Sequence, residues 1–320
     1  MSAEDKHIIS KKSKPRVAII YDFDKTLSTS EMQDPMIRYL GKEPKEFWKE
    51  AGDFARENRM DKILAYLYCL KREFERQNKK FDADTMKGFG SGIEFYPGVL
   101  EWFPLMEKLA KEKGVVIEHY LISSGMREII EGTPIFRYFK EVYACEFLSD
   151  EYGKAIWLKN VVNFTTKTQF LFRINKGKLD IWDEKGVNEF SFHEDRPVPF
   201  ENMIYIGDGS TDIPCMKIVK QNGGESIAVY TTRSQDTAYD LMYDERITHM
   251  CRADYREGKD LHKLVSSIVS RIAIDQPLRD RNRKEFEKAS ERSKRQSGKV
   301  ELDNSRGLRF LIANAIEHSV

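Results

Sequence analysis

The sequence predicts an α/β fold, an open parallel sheet with a helical insertion after its first strand. Three short apolar runs predict the sheet: Val17-Ala18-Ile19-Ile20-Tyr21, residues 117–122, and Met203-Ile204-Tyr205-Ile206. Each reads as a buried strand, and each stops abruptly at small or acidic residues. A long stretch of helical periodicity between the first two, with no strand-like run inside it, predicts the insertion.

Residues 1–14 are polar and read as a loose arm, and the first strand covers about 16–22. Through the insertion, Ile63, Leu64, Leu67, Leu70 and Phe74 recur at helical spacing, a stripe that reads as the insertion's own core. Gly88-Phe89-Gly90-Ser91-Gly92 reads as a hinge back to the sheet, because glycine permits many backbone states. Pro97-Gly98-Val99 opens a helix that Gly114 closes, and the second strand then runs to Ser123. Residues 127–130 read as helix and 141–147 as strand, while Asp150-Glu151-Tyr152-Gly153-Lys154 is a turn between two strands. Lys167 opens an amphipathic helix ending at Asn175-Lys176-Gly177, and 177–200 is a polar excursion from the sheet. Beyond the third apolar run, 215–219 reads as helix and 226–230 as strand. A helix over 262–274 carries Leu264, Ile268 and Ile272 on one face. The charged stretch 277–299 is a solvated helix or a disordered segment, and 308–316 is apolar enough to dock on another surface.

The chain has 320 residues, enough for one large α/β domain and a smaller one. Its 53 basic and 52 acidic residues leave a net charge of +1, without the broad positive field that nucleic-acid binding needs. The four cysteines are scattered, with no Cys-x-x-Cys pair, and read as reduced thiols of a cytoplasmic protein. No segment approaches the roughly 20 apolar residues of a membrane span, so no membrane partner is expected. Nothing in the sequence fixes the oligomeric state.

Asp22 and Asp24 stand one residue apart where the first strand ends, so they face the same side of the crevice at the carboxyl edge of the sheet. Two carboxylates that close repel unless a cation or a proton lies between them. The pair therefore points to a hard divalent metal and chemistry on a phosphate. Ser123-Ser124-Gly125, then Lys167, then Gly207-Asp208-Gly209-Ser210-Thr211-Asp212 follow in that order.

With these four groups the chain resembles the haloacid dehalogenase superfamily of phosphohydrolases, and within it the phosphoserine phosphatase branch. Asp22-Phe23-Asp24-Lys25-Thr26, Ser123-Ser124-Gly125-Met126, Lys167 and Gly207-Asp208 with Asp212 match its motifs, and Glu31 falls where that branch has a cap glutamate. Thr211 departs from the usual Asn. The resemblance implies a three-layer Rossmann-like parallel sheet with a small helical cap domain. The catalytic core would be residues 1–27 and 93–275, the cap 28–92, and a charged extension 276–320.

It further implies a Mg²⁺-dependent phosphatase acting on a small phosphorylated metabolite. Asp22 would attack phosphorus to form an aspartyl-phosphate, and Asp24 would serve as general acid and then general base. Lys167, Thr26, Ser123, Ser124 and Gly125 would hold the phosphoryl group, and Glu31 would contact the substrate from the cap. Asp22, Asp208, the Asp24 backbone carbonyl and, in the outer shell, Asp212 would hold Mg²⁺. Two alternatives stay open: a phosphotransferase using the same intermediate, and a non-catalytic phosphate-binding protein on the same scaffold. A substrate like phosphoserine would call for an arginine. The cap offers Arg56 and Arg59, whose surroundings do not match the pattern, and Glu31 instead favours a monophosphate carrying an amine.

Overall fold

Strand β1 (Arg16–Tyr21) buries every residue after Arg16, and it lies at the centre of the sheet. The computed structural model describes residues 14–190, 196–209 and 211–317, with side chains to 293. The expected arm over 1–14 therefore falls almost wholly outside the described residues, as do the side chains of the apolar stretch 308–316.

The sheet has seven strands. They are β1, β2 (Val116–Met126), β3 (Phe139–Ser149), β4 (Ala155–Asn160), β5 (Met203–Gly207), β6 (Glu225–Tyr230) and β7 (His249–Arg252). The order is β4-β3-β2-β1-β5-β6-β7. All pairs are parallel except β3–β4, a hairpin closed by the turn around Gly153. The chain winds outward from β1 in one direction through β2 and β3, then returns to β1's other flank with β5. That reversal opens a crevice at the carboxyl ends of β1, β2 and β5. Tyr21 pairs with Leu121 on one side and Ile206 on the other, so the residues that follow all three strands emerge together.

Four helices fill the insertion: α1 (Asp34–Tyr39), α2 (Pro44–Glu57), α3 (Lys62–Arg76) and α4 (Ala83–Gly90). Asp61 caps α3 by accepting from the backbone amides of Ile63 and Leu64. Tyr66, Leu67, Leu70 and Phe74 give α3 its buried face. The glycine-rich stretch after it makes a close backbone contact. A Cβ on Gly90 would fall 2.2 Å from the Ile129 carbonyl oxygen, and one on Gly132 would fall 1.9 Å from that of Lys87. Only glycine lets α4 approach α6 (Arg127–Glu131) this closely.

The remaining helices flank the sheet: α5 (Val99–Lys113), α7 (Lys167–Lys176), the short α8 (Glu184–Asn188), α9 (Ile213–Gln221), α10 (Gln235–Tyr243) and α11 (Asp260–Glu317). Gly98 and Gly114 bound α5 in left-handed conformations. Beneath β1 the indole N–H of Trp102 donates to the Tyr21 hydroxyl at 2.8 Å, and that hydroxyl lies 3.0 Å from His119 Nδ1. Burial drives His119 down to about 3, so it is neutral in the core. Two compact units are distinguished, residues 1–272 and 273–320. In the second, α11 continues as helix where 277–299 could have been helical or unstructured, with most of its side chains exposed as far as residue 293. Elements α10 and β7 were not anticipated. Among the described residues no helix is long and apolar enough to cross a membrane.

Candidate active site

Asp22 follows β1 directly and is tied to the neighbouring strand by its own amide, which donates to the Ile206 carbonyl at 2.9 Å. Its carboxylate lines a cavity of about 210 Å³ at the crevice. Asp24, Ser123, Ser124, Asp208 and Thr211 share the floor; Lys25, Glu31, Gln33, Trp48, Ile63 and Tyr66 form the rest of the wall. The sheet and the helical insertion thus each supply one side of the cavity.

From Asp22 a buried ion network runs back behind the floor. Lys167, the first residue of α7, donates to Asp22 Oδ1 at 2.9 Å and to Asp212 Oδ1 at 2.7 Å. The Tyr205 hydroxyl donates to the same Asp212 oxygen at 2.7 Å. A Cβ on Gly207 would sit 2.4 Å from Asp212 Oδ2, so that glycine makes room for the carboxylate. Burial works against the charge of Lys167, yet Asp212 and Asp22 hold its ammonium well above the ordinary lysine range.

Burial pushes Asp22 up to about 7 and Asp208 up to about 8, with Asp212 the next cause in both and Lys167 opposing. Carboxylate oxygens of Asp22, Asp208 and Asp212 lie within 4.8 Å of one another, and Asp212 Oδ2 is buried with no hydrogen-bond partner. An all-oxygen set of crowded carboxylates, one of whose oxygens has no partner, fits a hard divalent ion such as Mg²⁺. The Asp24 carboxylate is not among them. It accepts from the Met32 amide at 2.7 Å, and burial, then Glu31 and Asp22, push it well above the usual carboxylate range.

Of the other residues expected in the site, Ser123, Ser124 and Glu31 line the cavity, whereas Thr26 and Gly125 adjoin lining residues in the chain without lining it themselves. Ser123 Oγ accepts from the Gly125 amide at 3.0 Å, while Thr26 Oγ1 and Ser124 Oγ are buried without partners. Glu31 reaches the cavity, but it forms an ion pair with Lys25 instead of standing free. Arg56 pairs with Asp53 on the surface, and neither Arg56 nor Arg59 lines the cavity.

Several lining residues escaped the sequence reading. Lys25 stands inside the acid motif in a left-handed conformation, φ 55°, which costs a non-glycine residue about 1–2 kcal/mol. Nothing in its identity announces that backbone. Trp48, Ile63 and Tyr66 belong to apolar helix faces whose spacing equally suits a core. Tyr205, which does not line the cavity but holds Asp212 behind it, looked like one more apolar strand position.

Residues 19–217, more than half of the chain, match the haloacid dehalogenase-like hydrolase family. An uncharacterized protein of Borreliella burgdorferi is 28% identical over 289 residues, covering 81% of this chain and 97% of its own length. Among solved structures, a haloacid dehalogenase family hydrolase from Salmonella enterica serovar Typhi superposes with a TM-score of 0.51 at 18% identity, over 81% of this chain and 73% of the other. A probable phosphoserine phosphatase from Vibrio cholerae, in unliganded form, gives a TM-score of 0.51 at 15% identity, over 82% and 67%. At such identities the two structures are similar in fold.

Proposed function

The chain belongs to the haloacid dehalogenase-like hydrolase family, and from that premise we propose that it is a Mg²⁺-dependent phosphatase of small phosphate monoesters, acting through an aspartyl-phosphate on Asp22. The observation that carries this reading is the pairing of two unlike acids in one cavity. Asp22 is held by a buried lysine, whereas Asp24 two residues on accepts from the Met32 amide and is pushed upward by burial, Glu31 and Asp22. Two neighbouring carboxyls held by different partners, one by a fixed cation and one not, suit a nucleophile and an acid.

In the first displacement an Asp22 carboxylate oxygen bonds to phosphorus as the ester P–O bond breaks, and the Asp24 proton passes to the departing alkoxide. In the second, Asp24 takes a proton from water, whose oxygen displaces Asp22 and releases inorganic phosphate. Lys167 keeps Asp22 fixed and adds positive charge where the phosphoryl oxygens gather. Thr26, Ser123, Ser124 and the Gly125 backbone line or support the phosphoryl subsite. Bound Mg²⁺, held by Asp22, Asp208 and the Asp24 carbonyl with Asp212 behind, would offset repulsion between the nucleophile and the phosphoryl group. The helical insertion, residues 28–92, acts as the cap that limits water and selects the alcohol, with Glu31, Gln33, Trp48, Ile63 and Tyr66 as its share of the wall.

Turnover of a generic aryl phosphate with Mg²⁺ and with a chelator tests the proposal. Activity that requires the ion supports it, and undiminished activity in chelator would refute the metal-dependent mechanism.

A further inference from the structure

Resting on the phosphatase reading, we propose that the alcohol accepted by this cavity is a small amino alcohol, so that the substrate is a monophosphate bearing a primary ammonium and no second anion. The argument begins with the hydrogen bonds of Gln33 and Tyr66. The Tyr66 hydroxyl donates to the Ser124 carbonyl at 2.7 Å. A carbonyl can only accept, so the single proton of that hydroxyl is committed. The contact between Tyr66 and Gln33, 3.3 Å, must then be made by the amide nitrogen of Gln33. This fixes the amide and leaves Gln33 Oε1 as an acceptor. Gln33 lines the cavity at 2% exposure, and its Oε1 has no partner. A buried acceptor without a donor costs about 1–3 kcal/mol, which a ligand N–H recovers.

Charge narrows the donor further. Among the described residues lining the cavity, Lys25 is the one cation, and Glu31 engages it. Four carboxyls line the same space: Asp22, Asp24, Glu31 and Asp208. A carboxylate on the substrate would meet no free cation and would be desolvated beside Glu31, whereas an ammonium could share the Glu31 carboxylate with Lys25. Trp48 adds to this. Its indole N–H is directed to Asp34 at 3.4 Å, and its ring packs on that of Tyr66 with centroids 5.2 Å apart. Aromatic faces of this kind attract cations. A quaternary ammonium shares the charge but brings no N–H to Gln33, so it ranks below a primary amine.

The test compares kcat/KM of the full-length Mg²⁺ enzyme for phosphoethanolamine, phosphocholine, 2-hydroxyethyl phosphate, phosphoserine and p-nitrophenyl phosphate. Phosphoethanolamine is expected to exceed phosphoserine and 2-hydroxyethyl phosphate by about tenfold or more, the discrimination available to a site that hydrogen-bonds its substrate. In Gln33→Leu its advantage over 2-hydroxyethyl phosphate should fall toward one. If p-nitrophenyl phosphate is hydrolysed but phosphoserine matches or exceeds phosphoethanolamine, the amino-alcohol assignment is overturned and the phosphatase reading stands. If no ester is hydrolysed, both fall. The wild-type ranking decides the matter even if Gln33→Leu does not fold.

Discussion

The ammonium of Lys167 donates to Asp22 Oδ1 across 2.9 Å, with the lysine entirely buried. A buried charge is tolerated only where its partners are fixed, and here Asp212 supplies the second partner at 2.7 Å. The nucleophile of the proposed reaction is therefore held by a network that is also structural.

Replacing that lysine should expose both roles. Lys167→Met leaves Asp22 and Asp212 buried without their cation, a loss worth about 3–5 kcal/mol of stability. Turnover should fall by about 100-fold or more, as on removal of a preorganised electrostatic contact. Added Mg²⁺ should recover part of the melting temperature. A variant as stable and as active as the parent would show that the network does neither job.

Metal-free protein should lose stability as the pH rises from about 6.5 to about 8. Asp22 and Asp208 titrate near 7 and near 8 when folded, against an ordinary 3.8, so the folded state binds the extra protons. Stability from such raised groups is present at low pH and is lost as pH climbs through the folded values. His119, folded value about 3 against 6.5, acts in the opposite direction, but only below about 6.5. Melting curves in chelator at the two ends of this window measure the slope, and saturating Mg²⁺ should flatten or reverse it. A metal-free midpoint that rises with pH would contradict the assignment of these carboxyls.

Asp24→Asn should separate the two displacements. Alkyl phosphates need a proton on the leaving oxygen, so their first step should slow by about 100-fold or more. Nitrophenolate leaves without a proton, so p-nitrophenyl phosphate should give a rapid burst followed by slow turnover, because water attack on the phosphoenzyme still lacks its base. Equal slowing of both substrates, with no burst, would remove Asp24 from the acid role.

The junction of α4 with α6 offers a stability test remote from the chemistry. Gly132→Ala forces a Cβ to within 1.9 Å of the Lys87 carbonyl oxygen and should cost about 1–3 kcal/mol. Gly88→Ala, with nothing within 4 Å of the new atom, should be neutral or mildly stabilising. Equal melting temperatures for the two variants would mean that the close approach is not needed.

The sheet was legible because β1 and β5 are uninterrupted apolar runs that stop abruptly at acidic or small residues, as at Tyr21-Asp22 and Ile206-Gly207-Asp208. The end strand β7 was not, since His249 and Arg252 leave its four residues no apolar run to detect. The floor of the cavity was legible for a related reason: Asp22, Ser123 and Asp208 each sit at or beyond a strand, where position follows from topology. The wall supplied by the helical insertion was not. Ile63 was read into the same apolar stripe as Leu67, Leu70 and Phe74, and only the packing of α3 shows that Ile63 faces the cavity while those three are core. Likewise Glu31 read as a free contact because its partner, Lys25, is brought to it by a left-handed turn that no lysine advertises.

The central claim is that Asp22 carries the phosphoryl group, and acid-quenched protein mapped by mass spectrometry during turnover tests it most directly. Asp24→Asn should slow the second displacement and let the intermediate accumulate, so a phosphoryl group is predicted on the peptide containing Asp22, and none when Asp22 is also changed to Asn. Phosphorylation at another residue, or steady turnover with no phosphorylated peptide together with normal activity of Asp22→Asn, would contradict the covalent mechanism.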